Sequence, residues 1–368
     1  MTEAQLYSGN PLLDPYPGIP EHLPVAVRAR LRSTLDDATQ LFPELSEHTA
    51  EVKPEADFED FWEEAARAAA AVRAAAAAGV TIERHNARVW NEDQLARRLG
   101  GVSVGEEARH AVDPLLDSAV VREHGGRWMS VGCVPDDPAD PREDNLLRQL
   151  ADRYRRGVRH AVIKLAARKA GVFKITLHET PEAIAQELSS HEVIGWDLLR
   201  NGDHADAYLA QDFVMMEHEY RFFIVDGMVV SGAGCIEEFT PFDRDPAEGP
   251  FSAILRRRRG NSLIPAIDEP LVVGAPLVRR YIEFIEPIAA ANGGTVVMDV
   301  ATAAATGEPL VIELNTLPNC GLYASDVDAV YLALITANDR GYGNYAFTPA
   351  DPLTGITLTE TGHHDHIA

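Results

Sequence analysis

The chain has 368 residues, 46% hydrophobic and 24% charged, the proportions expected of a soluble globular protein with room for two or three lobes. A formal charge of −24 sets it against nucleic acid and anionic membrane surfaces. No apolar run approaches a membrane span, the N-terminus lacks a secretion-signal layout, and three scattered cysteines, Cys133, Cys235 and Cys320, argue against a disulfide framework or zinc site and fit a reducing cytoplasm.

In chain order, residues 1–56 are rich in proline and acidic residues around one helical stretch, Val25–Phe42. Asp57 to Ala78 predicts a long helix. Asp57 is its N-cap, Phe58, Phe61 and Trp62 anchor its start, and an alanine run of high helix propensity stops at Gly79. A strand, Val80-Thr81-Ile82, and a helix near Glu92–Leu99 follow. Three prolines between Pro135 and Pro141 mark a loop or boundary. Beyond it, Asn145–Val158 is helical, strands Ala161–Leu165 and Gly171–Leu177 make a hairpin, Pro181–Ser189 is a helix and Tyr208–Val214 a strand. Asp226-Gly227 is a turn pair joining strands Tyr220–Val225 and Met228–Ser231. An acidic loop covers 237–250, and an amphipathic helix covers Ala275–Ala291. Strands Thr295–Val300 and Pro309–Leu314 meet at a turn near Thr306-Gly307, and Asp326–Asn338 is the last helix. The tail after about Thr348 carries little to order it. Hairpins in place of regular βαβ alternation predict an α+β protein. The expected divisions are an N-terminal, largely helical α/β lobe over 1–140, α+β subdomains over 141–214 and 215–347, and the tail 348–368.

Two features carry chemistry. Only four lysines occur, Lys53, Lys164, Lys169 and Lys174, and three of them fall within eleven residues. Where arginine otherwise supplies positive charge, such a cluster points to ammonium groups suited to phosphate in a tight site, the alternative being chance clustering on a surface hairpin. Secondly, Val296-Val297-Met298-Asp299-Val300 sets one carboxylate in an apolar run, and Leu310-Val311-Ile312-Glu313-Leu314-Asn315 sets a carboxylate and an amide in another. Strand alternation puts Glu313 and Asn315 on one face, and a buried strand acid is costly unless paired or metal-bound. Strands joined by a short turn are neighbours, so Asp299 can reach the same spot. Three hard oxygen ligands suit Mg²⁺ shared with substrate phosphates. The competing reading puts these groups at strand ends facing water.

Glu313-x-Asn315 followed by Thr316, Leu317 and Pro318 resembles the C-terminal metal motif of the ATP-grasp superfamily, which includes D-alanine–D-alanine ligase and glutathione synthetase. The resemblance implies an ATP-grasp fold, two α+β subdomains clasping ATP, with Asp299, Glu313 and Asn315 binding Mg²⁺ that bridges the phosphates. Val162-Ile163-Lys164 followed by Gly171-Val172 resembles the hairpin that folds over ATP, implying that Lys164 touches a phosphate. Arg168 and Lys169 in the glycine-poor loop between, and Lys174 beyond it, are further phosphate candidates. The family's upstream phosphate lysine has no counterpart, and Arg155, Arg156 or Arg159 is considered in its place. Ala210-Gln211-Asp212-Phe213-Val214 resembles the adenine hinge, implying contacts from Gln211, Asp212, Phe213 and Val214, with Glu217 for the ribose. Glu219-Tyr220-Arg221 before an apolar strand is similar to a superfamily pattern, implying that Arg221 neutralises a transferred phosphoryl group. The alternative for Arg221 is a surface ion pair with Glu219 or Asp226. The chain departs from the pattern at Leu165, where proline is usual, at Asn319, where glycine is common, and at Val297, where the D-alanine ligase branch has arginine.

The resemblance implies a ligase that activates a carboxylate as an acyl phosphate and joins it to an amine, an amino acid or peptide, releasing ADP and phosphate. A grasp-type phosphotransferase and a non-catalytic ATP-binding regulator are the alternatives. Small-molecule substrates are the expected partners, with a homodimer left open. Arg256–Arg259 reads first as a partner for the acidic loop before it, and second as a phosphate or carboxylate site.

Overall fold

The computed structural model describes residues 25–41, 58–79, 81–84, 118–165, 172–191, 207–258, 269–315, 317, 320–337 and 356–359. Two helices, α1 (Val25–Leu41) and α2 (Phe58–Ala78), precede the strand β1 (Thr81–Arg84). Next come α3 (Ala119–His124), β2 (Met129–Cys133), α4 (Leu146–Arg155), β3 (His160–Leu165), β4 (Phe173–Thr176), α5 (Pro181–Ser190) and β5 (Ala207–Asp212). Then follow β6 (Met216–Val225), β7 (Met228–Gly234), β8 (Ile254–Arg256), β9 (Leu271–Val273) and α6 (Ala275–Asn292). The last elements are β10 (Val296–Ala303), β11 (Pro309–Asn315), α7 (Val327–Ala337) and β12 (Ile356–Thr359).

The class is α+β. Two four-stranded sheets, ordered β2-β5-β3-β4 and β11-β10-β6-β7, are antiparallel throughout, and β1-β12 and β8-β9 form two-stranded ribbons. The expected hairpins form. At Asp226-Gly227 both residues take left-handed φ, 51° and 72°, as a two-residue turn between twisted strands requires. Strand β2 lies before residue 140 and is nevertheless an edge of the sheet that carries Lys164. Four residues of the tail, β12, pair with β1, although their composition predicts little order. The expected cap at Asp57, the aromatic anchors of α2, the helix near 92–99 and the 166–171 loop lie outside the described residues.

Strand alternation gives the β11-β10-β6-β7 sheet two apolar faces. Tyr220, Phe222, Ile224, Met298 and Leu314 pack on Tyr281 and Ile285 of α6. On the other face Phe223, Val225 and Val297 join Leu334 of α7 and the alanines of α2, whose small side chains let α1 and α7 approach closely. In the second sheet Ile163, Ile175 and Ala210 cover Leu146, Leu147 and Leu150 of α4 and Ile184 of α5. Each fully buried large aliphatic or aromatic side chain contributes about 1.5–3 kcal/mol. Asn145 caps α4, its Oδ1 accepting from Leu147 N at 3.0 Å and its Nδ2 donating to Asp140 O at 2.8 Å, which moors the proline-rich loop.

Candidate functional site

Between the two four-stranded sheets lies a cleft of about 250 Å³. Val162, Lys164 and Val172 line it from the second sheet's side, Gln211 to Val214 from the end of β5 and the connection to β6, and Met216, His218, Glu219 and Ile312 from the first sheet, with Tyr323 beyond them. Val162, Val172 and Ile312 are its aliphatic lining, and Cys235, Glu237 and Arg256 to Arg258 complete it.

Arg127 staples the connection to the sheet. Its Nε donates to Gln211 Oε1 at 3.0 Å, Nη1 to Val311 O at 3.0 Å and Nη2 to Ile312 O at 2.6 Å. Burial draws its pKa down to about 10 against the opposing charge of Glu313. Sequence reading missed this residue, whose one local signal is the pair of glycines before it. Asp212 turns its carboxylate to Arg153 of α4, which donates from Nε at 3.0 Å. The Lys174 ammonium lies 4.1 Å from the Phe213 ring centroid, a cation–π contact over the hinge.

Behind Lys164, Glu219 and Tyr323 of the lining the polar strand residues converge, although Arg221, Asp299, Glu313 and Asn315 are not themselves lining residues. Asp299 stands opposite Glu313 on β11 and opposite Arg221 on β6. The Arg221 Nε and Nη2 donate to the two oxygens of Asp299, each at 2.7 Å, and Nη1 donates to Gly321 O at 3.1 Å. Burial opposes the Arg221 charge, but Asp299 outweighs it and holds the guanidinium above its ordinary pKa. Asn315 Nδ2 donates to Asp299 Oδ2 at 2.9 Å, while Asn315 Oδ1 is buried with no hydrogen-bond partner. From the other sheet, Lys164 Nζ donates to Glu313 Oε2 at 3.0 Å. A register shift opposite Asp299 and Val300 places Val311 and Leu314 together in the α6-facing core and leaves Ile312 in the cleft lining. Glu219 is exposed within the cleft, yet hemmed in by protein. Desolvation first, then the charges of Asp299 and Glu313, push its carboxyl up to about 7.

The loop after β11 is held from outside the sheets. Arg67 of α2 donates to Leu317 O at 2.8 Å and to Cys320 O at 2.5 Å, and Glu63 accepts from Leu322 N at 2.6 Å and Tyr323 N at 3.3 Å. Tyr323 takes a left-handed φ of 48°, and its ring lies 5.0 Å from the Arg221 guanidinium. A continuous chain of contacts thus runs from α2 through the loop to Arg221, Asp299 and Asn315.

Several expectations meet a different arrangement. Glu217 pairs with Arg257 at 2.9 Å and Arg258 at 3.6 Å and is not in the cleft lining. The cause is His218, whose φ of 57° accompanies a bulge between the Tyr220 and Glu217 pairings and brings His218 and Glu219 into the lining. Arg221 is buried and bonded to Asp299, not paired at the surface with Glu219 or Asp226. None of Arg155, Arg156 and Arg159 lines the cleft; Arg155 pairs with Asp152 at 2.7 Å, and Arg159 stacks 4.4 Å from the Tyr154 ring centroid. Arg256 does pair with Glu238 of the acidic loop, at 3.0 Å, as first expected, Arg258 pairs with Glu269 at 3.0 Å, and Arg256, Arg257 and Arg258 line the cleft, while Arg168, Lys169, Arg259 and Asn319 lie outside the described residues. Cys320 is a small buried residue whose Sγ donates to Leu317 O at 3.0 Å. Among the described residues no three His, Cys, Asp or Glu side chains cluster so as to hold a metal, and no helix is long and apolar enough to cross a membrane.

No protein-family model and no curated protein matches the chain. Among solved structures it is similar to D-alanine–D-alanine ligase from Bacillus anthracis complexed with ATP, at 17% identity and TM-score 0.32 over 58% of this chain and 60% of that one. It is similar to Cdc123 from Schizosaccharomyces pombe at 12% identity and TM-score 0.30 over 54% and 80%, and to the ATP-grasp ligase PsnB complexed with minimal precursor at 14% and 0.29 over 60% and 58%. The chain thus spans about three fifths of the length of the first of these. At such scores the likenesses assign no activity.

Proposed function

We propose that the cleft binds Mg-ATP in the ATP-grasp manner and that the protein is an ATP-dependent ligase joining a carboxylate to an amine. The observation that carries this reading is the meeting of Lys164, from one sheet, with Glu313, from the other, beside the Asp299–Asn315 pair. A cation of the cleft lining and hard oxygen donors stand together. The donor set fits Mg²⁺ in chemistry. Asn315 Oδ1 is a buried oxygen without a partner, and Glu313 is a carboxylate beside it on the same strand. Asp299 is committed to Arg221 and Asn315, so Glu313 and Asn315 are the residues that would hold the metal, with Asp299 orienting both Arg221 and the amide. Bound Mg²⁺ would neutralise phosphate charge.

Val162, Val172 and Ile312 flank the base, and the Gln211–Val214 backbone reads its edge. Glu219, in the lining where Glu217 is not, takes the ribose side. Lys164 exchanges Glu313 for a phosphate oxygen. Arg221, fixed by Asp299, faces the transferred group beneath Tyr323. The γ-phosphoryl group passes from ATP to the carboxylate oxygen, releasing ADP, and an amine then displaces phosphate at the acyl carbon.

The test incubates the protein with Mg-ATP and a panel of amino acids and amines, with mass detection of condensed products. ADP and phosphate appear only when both substrates are present, and Glu313→Ala abolishes turnover. AMP and pyrophosphate would exclude this chemistry. A stable phosphorylated product formed without an amine would indicate a phosphotransferase. An unchanged rate in Glu313→Ala would remove the site assignment.

A further inference from the structure

The two ends of the Gln211 amide are not equivalent. Gln211 is the last residue but one of β5 and is buried, and it stands opposite Val162 of β3, so both side chains project from one face of the sheet into the cleft lining. Its Oε1 accepts from Arg127 Nε at 3.0 Å. A guanidinium carries N–H donors and no acceptor, so it dictates which end of the amide meets it: the carbonyl oxygen turns to Arg127 and the NH2 group turns away. Arg127 is itself fixed, because Nη1 donates to the carbonyls of Gly125 and Val311 and Nη2 to that of Ile312. Gln211 Nε2 has no acceptor among the described residues and is not sealed off from the cleft.

The place of this amide along the cleft identifies what it meets. Leu209 pairs with Lys164 and Gln211 with Val162, so β5 runs from the lysine toward the 212–214 connection and passes Gln211 on the way. Two residues of strand put the amide about 7 Å beyond the lysine, on the side of the base and beside the aliphatic wall. We propose that Gln211 is a specificity-determining residue whose Nε2 donates to a ring nitrogen, N1 or N7, of the purine. An amide turned the other way would accept from the 6-amino group; Arg127, by fixing the amide, makes this wall a donor and requires the base to turn an acceptor to it. The inference rests on the nucleotide reading of the cleft and adds a side chain to the backbone contacts made there.

Calorimetric titration of the full chain with the magnesium complexes of ATP, 7-deaza-ATP and 1-deaza-ATP, in which a C–H group replaces one ring nitrogen, tests this. One of the two analogues binds wild type about tenfold more weakly than ATP, the loss expected when the amide donor is left unpaired. Gln211→Glu keeps an oxygen for Arg127 but sets a second oxygen where the donor was. ATP then loses affinity, and the same analogue binds as well as ATP or better. In Arg127→Met, where the amide is free to turn, the ratio of ATP to analogue affinity shrinks, a ratio that a general loss of stability leaves unchanged. Both analogues matching ATP in wild type, or a deficit that persists at full size in Gln211→Glu, would overturn the inference and leave the Mg-ATP reading standing. A wild type that binds no ATP would remove that reading, and this inference with it.

Discussion

Replacing Arg221 by methionine leaves the Asp299 carboxylate, 1% exposed, with the Asn315 amide as its remaining bonded donor. The pair it breaks is bidentate and buried, both contacts being 2.7 Å. Removing one partner of such a pair costs about 3–5 kcal/mol, because a charge stays behind in a place where water cannot reach it. For a chain of this size that is a fall in Tm of roughly 5 °C. Replacing both members, Arg221→Met with Asp299→Leu, removes the stranded charge, so the double variant lies closer to wild type than the sum of the singles by about 2 kcal/mol or more. Urea unfolding followed by circular dichroism measures all four corners of the cycle. A single-variant loss below about 1 kcal/mol, or strict additivity, would refute the view that the pair is a desolvated structural unit at the base of the site.

Other outcomes follow from the same geometry. Lys164→Met weakens Mg-ATP binding about 10–100-fold by calorimetry, the worth of a charge-assisted contact to phosphate; unchanged affinity would place the phosphates elsewhere. The Glu219 carboxyl, desolvated and facing Asp299 and Glu313, is pushed up to about 7 in the folded chain from an ordinary 4.5, so the folded state keeps a proton that the unfolded chain has released. Stability in the presence of a chelator therefore falls as pH rises from about 4.5 to about 7, and Glu219→Gln flattens that slope in a pH series of melts. Arg67→Ala removes two bonds from a charged donor to the 317–323 loop, costs about 3 kcal/mol, and raises amide hydrogen exchange at Leu322 and Tyr323, whereas protection equal to wild type would show that the loop holds itself.

What the sequence made legible was local. Asp-Gly between two apolar runs specified a hairpin, and two polar-marked strands joined by a short turn placed Asp299 opposite Glu313. The helix beginning near Asn145 and the Lys164 hairpin were equally readable, because each depends on residues a few positions apart. The partners were not readable. Lys164 meets Glu313 across 149 positions and Arg221 meets Asp299 across 78, and no periodicity encodes such a distance. Glu217 lies off the cleft lining for a backbone reason. A left-handed histidine within β6 disturbs the strand register, and nothing about a histidine announces that conformation. Arg127 was overlooked because buried arginines look like surface ones until the carbonyls they satisfy are in view.

The grip of α2 on the loop after β11 has a consequence for how the protein comes into being. Arg67 and Leu317 are 250 positions apart, and Glu63 and Leu322 are 259 apart. Contacts of that span close last, since the chain between them must be ordered first. A ribosome releasing this protein emits α2 long before the loop that it holds, so an alanine-rich helix waits, partly uncovered, for α7 to arrive. A nascent chain stopped short of α7 therefore already carries Lys164, Asp299 and Glu313, but leaves the alanine face of α2 without its α7 partner.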